Sequence, residues 1–387
     1  MPGDLNAVLE RECGGSEELL GHLVTAGAAE LDERAAVAGR VLAHYLENHG
    51  IPVEWQEGAP GVPILVATVG LRGGRRILLE GHLDVVPAGA GWTREPFTPL
   101  REENTLYGRG TADMKAGIAA FALALVALQE TGSTHGSVTL LAVPDEETGS
   151  TRGLRPYLDK SNTRYDFAIC GEPTDLDVYL GNRGVISMDV RIEGVARHAG
   201  FPQSAVTSLP ALGDLLLEVG RLDAWQSERW PLVPTVVRGG EVFNQIPGEV
   251  MLTLGQRLMP GDDPDRAEGV IEDLVAVVAR RYPRCHFTIQ THLKWPPCLL
   301  DSSNPYAVRL LETIRQDRPD ASFGFDDPAD DASWLMAKGI PTVVLRGRRV
   351  CGSGRHVCSS QRLRVLRREP LCLSSLSIAG DGSMLSS

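Results

Sequence analysis

The chain has 387 residues, 43% of them hydrophobic and 23% charged, which supplies a sizeable core and length for two domains and excludes disorder as its main character. Lys and Arg total 38 against 50 for Asp and Glu, a net charge of -12 with no long basic run before residue 346, which excludes nucleic acid and an anionic membrane surface as expected partners. Seven cysteines, an odd number without a Cys-x-x-Cys pair, exclude both a disulfide framework and a thiolate zinc site.

Val37, Val41, Leu42, Tyr45 and Leu46 recur at helical spacing, and Gly50 follows where a helix needs a left-handed end. Three runs rich in Val, Ile and Leu come next, at 77–79, 138–143 and 167–169, separated by helical patterns such as 115–129. This alternation predicts a mainly parallel sheet with helices on both faces. The longest clean apolar run, Ile118 to Leu128, is too short to span a bilayer, and Met1-Pro2-Gly3-Asp4 does not resemble a signal peptide. The expectation is a cytoplasmic protein.

From Val185 the rhythm changes to strand (185–192), helix (205–219), strand (235–243), strand (249–258), helix (266–281) and strand (286–291). That order predicts a ferredoxin-like α+β domain. A helix at 306–315, a short helix at 332–337 and a strand at 341–345 then resume the α/β rhythm. The second domain, 184–295, is therefore expected as an insertion into a first built from 1–183 and 296–387.

In an open parallel sheet, ligands collect at the carboxyl ends of the strands. Gly81-His82-Leu83-Asp84 follows the first run, Asp145-Glu146-Glu147-Thr148-Gly149 the second and Gly171-Glu172-Pro173-Thr174 the third, while Gly110-Thr111-Ala112-Asp113 precedes a helix. One imidazole and several carboxylates thus converge on one rim. So many acids together repel unless cations neutralise them. Imidazole nitrogen and carboxylate oxygen without cysteine suit zinc, cobalt or manganese, and two such ions sharing a carboxylate would make a water nucleophilic near neutral pH.

His82-Leu83-Asp84-Val85-Val86-Pro87, Gly108 to Gly117 (Gly-Arg-Gly-Thr-Ala-Asp-Met-Lys-Ala-Gly) and Asp145 to Gly149 closely resemble the dinuclear zinc amidohydrolase family of acetylornithine deacetylase and succinyl-diaminopimelate desuccinylase. The resemblance runs from about residue 15 to residue 345. It implies a metal-binding catalytic domain, an inserted lid and dimerisation domain, and two divalent ions. His82, Asp113 and Glu172 would hold one ion, and Asp113 would bridge to a second held also by Glu147. Glu146 would be the general base, and Asp84 would fix the His82 tautomer. The implied reaction is amide hydrolysis of a small N-acyl amino acid or dipeptide-like substrate. His198, in Arg197-His198-Ala199, would complete the oxyanion site across a homodimer, while Asn244 and Arg257 would orient substrate, Arg257 by gripping a carboxylate.

One departure stands out. The second ion needs a histidine after the strand at 341–345, following a glycine-rich turn, and His356 is the candidate; its flanks, Arg346 to Arg355 and Val357-Cys358-Ser359-Ser360, match neither that turn nor the acidic motif expected after it. From Arg346 onward there are eight arginines, two acids (Glu369 and Asp381) and three of the seven cysteines. So abrupt a switch suggests that 346–387 is out of frame or diverged. A binding scaffold lacking the second metal, without turnover, is the competing expectation. A serine hydrolase has only the Gly352-Ser353-Gly354 fragment of a nucleophile elbow in its favour.

Overall fold

The computed structural model describes residues 4–27, 33–71, 73–102, 105–132, 135–222, 232–345 and a strand at 362–364. The expectations for His356 and, apart from that strand, for 346–387 lie outside the described residues. The chain divides into two compact units, the first comprising Met1–Gly181, Leu300–Phe325 and Asp330–Ser387, the second Asn182–Leu299 and Asp326–Ala329.

The first unit opens with helices α1 (Leu5–Ala26) and α2 (Arg34–Asn48), followed by strands β1 (Val53–Glu57), β2 (Pro63–Gly70), β3 (Arg75–His82), β4 (Leu100–Glu102) and β5 (Thr105–Tyr107). Helix α3 (Ala116–Thr131), β6 (Gly136–Val143), α4 (Leu154–Lys160), β7 (Phe167–Cys170) and β8 (Val178–Asn182) complete its first stretch. After the second unit come α7 (Pro305–Asp317), β16 (Phe323–Asp326), α8 (Ala332–Ala337) and β17 (Thr342–Val344), numbered in chain order. The main sheet runs β1-β2-β6-β3-β7-β17-β8, with β16 pairing β8. Its centre, β6-β3-β7-β17, is parallel throughout.

Alternation along these strands explains the layers. Leu65, Ala67, Ile77, Leu79, Leu140, Phe167 and Ile169 are buried against one helical layer that includes α1, α2, α3 and α7. Their neighbours Ile64, Val66, Leu78, Leu141, Val143 and Ala168 are buried on the other face with Leu154, Tyr157 and Leu335 of α4 and α8. A strand covered on both faces is apolar at most positions, which is why these segments show near-continuous rather than alternating hydrophobicity. Helix α3 is apolar on all sides for the same reason. The helical run from Thr111 to Thr131 is long and apolar enough to cross a membrane by length and composition, longer than the clean run in the sequence, yet 94% of its apolar window is buried inside the protein. It is the core helix of this unit.

The second unit contains β9 (Gly184–Glu193), β10 (Arg197–His198), α5 (Leu209–Arg221), β11 (Leu232–Gly239), β12 (Gln245–Ile246), β13 (Glu249–Leu258), α6 (Pro264–Arg281), β14 (His286–Trp295) and β15 (Cys298–Leu299). Its four-stranded antiparallel sheet has the order β11-β13-β9-β14. Ile186, Met188, Val190 and Ile192 of β9 share a core with Leu212 and Leu215 of α5 and Ile271, Leu274 and Val278 of α6. Helix α5 starts at Leu209, later than its apolar pattern, because Pro210 is pre-set for a first helical turn and Val206 is held in an extended bridge with Val195. The next strand likewise ends at Gly239 instead of 243, since Gly240 turns the chain with φ 77°.

Candidate metal centre

His82 is the last residue of β3, and Glu172 follows β7, the adjacent parallel strand, so both stand at carboxyl ends. A glycine precedes each. A Cβ on Gly81 would come within 2.3 Å of Met114 Cε, and one on Gly171 within 2.7 Å of the same atom. Met114 thus fills the space both glycines leave, and its sulfur accepts the His82 backbone N–H at 3.1 Å. Asp113, beside it, has extended backbone (φ -132°, ψ 104°) within the kinked turn Thr111–Lys115, which follows Gly110 at φ 84°. Its carboxylate is thereby directed toward the strand ends.

The result is a compact donor set. His82 Nε2 lies 3.1 Å from Asp113 Oδ1, 3.1 Å from Glu172 Oε1 and 3.9 Å from Glu146 Oε2. One ligand atom each from His82, Asp113 and Glu172 fall within 4.8 Å of one another. On the far side of the ring, His82 Nδ1 is 3.1 Å from the Asp84 carbonyl oxygen and 3.3 Å from Asp84 Oδ1, both acceptors. That edge carries a hydrogen, leaving Nε2 for whatever occupies the centre. The Asp84 carboxylate also accepts the backbone N–H groups of Glu146 and Glu147, at 3.2 and 3.1 Å. One side chain therefore ties the imidazole to the loop carrying both glutamates.

Charge is unbalanced at this centre. Burial alone would lower the His82 pKa, but hydrogen bonds with Asp113, Asp84 and Glu172 outweigh it and raise it well above the usual value. Burial raises Glu146 well above the ordinary carboxyl range, with nearby Asp331, Glu172 and Asp113 adding to it. Glu147 is pushed up to about 7 by burial and by Asp113, while its Oε1 accepts the Val86 N–H at 3.3 Å. Acids that resist ionisation this strongly fit a cation: the imidazole and carboxylate donors match a divalent transition metal, whose charge would reverse the repulsion.

Of the residues expected from the second unit, His198 and Asn244 sit together, while Arg257 lies toward the far end of β13. His198 and Gln245 are opposed in the β10–β12 ribbon, and the Asn244 carbonyl accepts the Ala199 N–H at 2.8 Å. His198 is exposed, and its Nδ1 accepts the Gly200 N–H at 3.1 Å, which leaves Nε2 to carry the hydrogen of the neutral ring. Arg257 lies on β13 opposite Val185. Desolvation and then the charge of Arg183 lower its pKa. Arg183, paired with Asp327 at 3.0 Å, was not singled out from the sequence; the signal available was Asn182-Arg183-Gly184, where a Cβ on Gly184 would meet the Trp295 carbonyl oxygen at 2.4 Å.

Other contributors near the first site were also missed. Lys115 is fully buried, donates to the Leu23 carbonyl at 2.8 Å and is lowered to about 8 by burial. Glu80 is fully buried in β3, where it accepts the Cys170 thiol at 3.0 Å. Asp331 is buried at the start of α8. Glu80 sits inside an apolar run and Asp331 is separated from every motif, so neither carries a local pattern.

Residues 78–361, more than half of the chain, match the model of Peptidase family M20/M25/M40. The chain belongs to that family. This M20-family chain is similar to succinyl-diaminopimelate desuccinylase 2 of Ruegeria sp. (strain TM1040), with 34% identity over 256 residues, which is 62% of this chain and 64% of the relative. The chain thus spans somewhat less than two thirds of that protein. In fold it is similar to the dipeptidase Dug1p of Saccharomyces cerevisiae (TM-score 0.77, 14% identity, 97% of this chain and 98% of that one). It is similar also to the Bacillus subtilis YXEP protein, a dinuclear metal-binding peptidase (TM-score 0.65, 15% identity, 96% of each chain). The M20 family consists of metallohydrolases acting on amide bonds, and the His82, Asp113 and Glu172 group is its candidate ligand set here.

Proposed function

We propose that this chain hydrolyses the amide bond of a small N-acyl amino acid or dipeptide-like substrate. The observation that carries this reading is Glu146 Oε2 standing 3.9 Å from His82 Nε2 at the edge of the His82, Asp113 and Glu172 donor set. His82, Asp113 and Glu172 would hold one divalent ion, zinc by preference, with cobalt or manganese as substitutes. Asp113, Glu147 and His356 would hold a second. Ions bound there would lower the pKa of water and polarise the scissile carbonyl. Glu146 accepts the proton of the attacking water and returns it to the leaving amine nitrogen. Asp84 keeps the hydrogen on His82 Nδ1, so that Nε2 presents its lone pair.

In the second unit, His198 offers its Nε2–H to developing negative charge on the carbonyl oxygen. Asn244 and Arg257 orient the substrate, the arginine by pairing with a carboxylate. A homodimer formed through this unit, whose sheet has β11 and β14 as its edges, brings His198 to the partner's site.

The test is metal content together with hydrolysis of acetylornithine, succinyl-diaminopimelate and simple dipeptides. Two ions per chain and turnover that falls about 100- to 10,000-fold in Glu146→Gln, with metal retained, are expected. At most one ion and no turnover on any of these amides would favour the binding scaffold instead.

A further inference from the structure

The loop that carries Glu146 and Glu147 begins and ends in left-handed backbone, at Asp145 (φ 73°), Gly149 (φ 110°) and Ser150 (φ 55°). Asp145 closes it from within: its carbonyl accepts the Ser150 N–H at 2.8 Å and its Oδ2 the Arg152 N–H at 2.5 Å. Glycine is the residue that adopts such backbone without steric cost, so a serine at φ 55° needs a reason. The reason is its hydroxyl. Ser150 Oγ donates to Asp331 Oδ1 at 2.5 Å, across 181 residues of sequence, and both side chains are buried to within 1% of full coverage.

Asp331 is itself firmly placed. Its carbonyl accepts the N–H groups of Trp334 and Leu335 in the first turn of α8, at 3.1 and 3.2 Å, and Leu335 belongs to the core beneath β3, β6 and β7. A buried hydroxyl-to-carboxylate bond at this position joins the rear of the glutamate loop to a rigid element, while Asp84 holds its front.

We infer that Asp331 is a positioning residue for the Glu146–Glu147 loop, acting through the Ser150 hydroxyl. The inference rests on the proposed hydrolase reading only in taking this loop to carry the proton acceptor and a metal ligand. Asp331 lies outside the His82, Asp113 and Glu172 donor set. Losing its bond to Ser150 lets the loop drift, which misplaces Glu146 and Glu147 while leaving the substrate-orienting residues of the second unit untouched.

The experiment uses the full chain with Ser150→Gly, Ser150→Ala, Asp331→Ala, Asp331→Asn and the Ser150→Gly/Asp331→Ala pair. Cobalt(II) titration followed by visible absorption is measured beside kcat and KM for amide hydrolysis. Ser150→Gly and Asp331→Ala are expected to lower kcat at least tenfold, with KM within threefold, and to shift the cobalt absorption band. Asp331→Asn, whose amide oxygen still accepts the hydroxyl, keeps kcat within threefold of the parent. The pair is no worse than Asp331→Ala alone, because both changes break one interaction. Multiplying losses, or a parent-like band and kcat in both serine variants, would overturn the inference. If Asp331→Ala does not fold, the serine variants decide. Glu146→Gln separates the two ideas: full turnover in it defeats the proton-transfer reading alone, and the cobalt band continues to judge Asp331 even without turnover.

Discussion

Gly81 and Gly171 show how a single missing methyl builds this centre. Each precedes a metal-ligand candidate, and each leaves space taken by Met114. Gly81→Ala places a Cβ 2.3 Å from Met114 Cε, so the end of the buried Met114 side chain must move aside. Overpacking of this kind costs about 1–3 kcal/mol, so the variant is expected to lose that much in urea unfolding and to bind less cobalt than the parent. Asp331 gives a pH signature at the same scale. Burial, opposed by the Ser150 hydroxyl and aggravated by nearby acids, raises its carboxyl to about 7 from the usual 3.8. The folded state therefore holds a proton that the unfolded chain releases, and stability present at low pH is lost as pH rises through about 7. Metal-free parent protein should show this decline in Tm between pH 5 and pH 8, and Asp331→Asn a flatter one; equal slopes would remove Asp331 as the source.

Caps and periodicity govern the elements. Asp263 accepts the Asp265 N–H at 2.9 Å and precedes Pro264 at the first helical position of α6, so local chemistry alone starts this helix. Asp263→Ala should cost about 1 kcal/mol in denaturant unfolding, without altering metal content. Helix α3 is the opposite case, held by tertiary burial on every side. Leu123, fully buried in it, should cost about 2–5 kcal/mol when cut to alanine. A loss below about 1 kcal/mol would mean that the helix is not enclosed on that side. Boundaries were the weaker part of the sequence reading, as α5 shows: its apolar pattern begins early, but Pro210 and the Val195–Val206 bridge decide the start.

At the scale of the whole molecule, the segment after Leu345 is the open element of the proposed centre. Two cobalt ions per parent chain falling to one in His356→Ala is the expected outcome if His356 is the last ligand. A reading-frame change predicts instead that another frame beyond codon 345 encodes a glycine-rich turn, a histidine and acids, and a gene in which no frame does so leaves His356 as the candidate. The contact of His82 with Asp84 follows from short spacing and was legible in the linear chain, as were the doubly covered strands with their unbroken apolar runs. Two units with different strand rhythms were legible for the same reason, since periodicity and turn residues are local. Tertiary structure alone decided that Met114 occupies the space beside two glycines 90 residues apart, that Glu80 and Asp331 lie buried near the site, and that Ser150 meets Asp331. Those facts depend on which parallel strands become neighbours and how their crossover helices close over them, and no window of sequence contains that information.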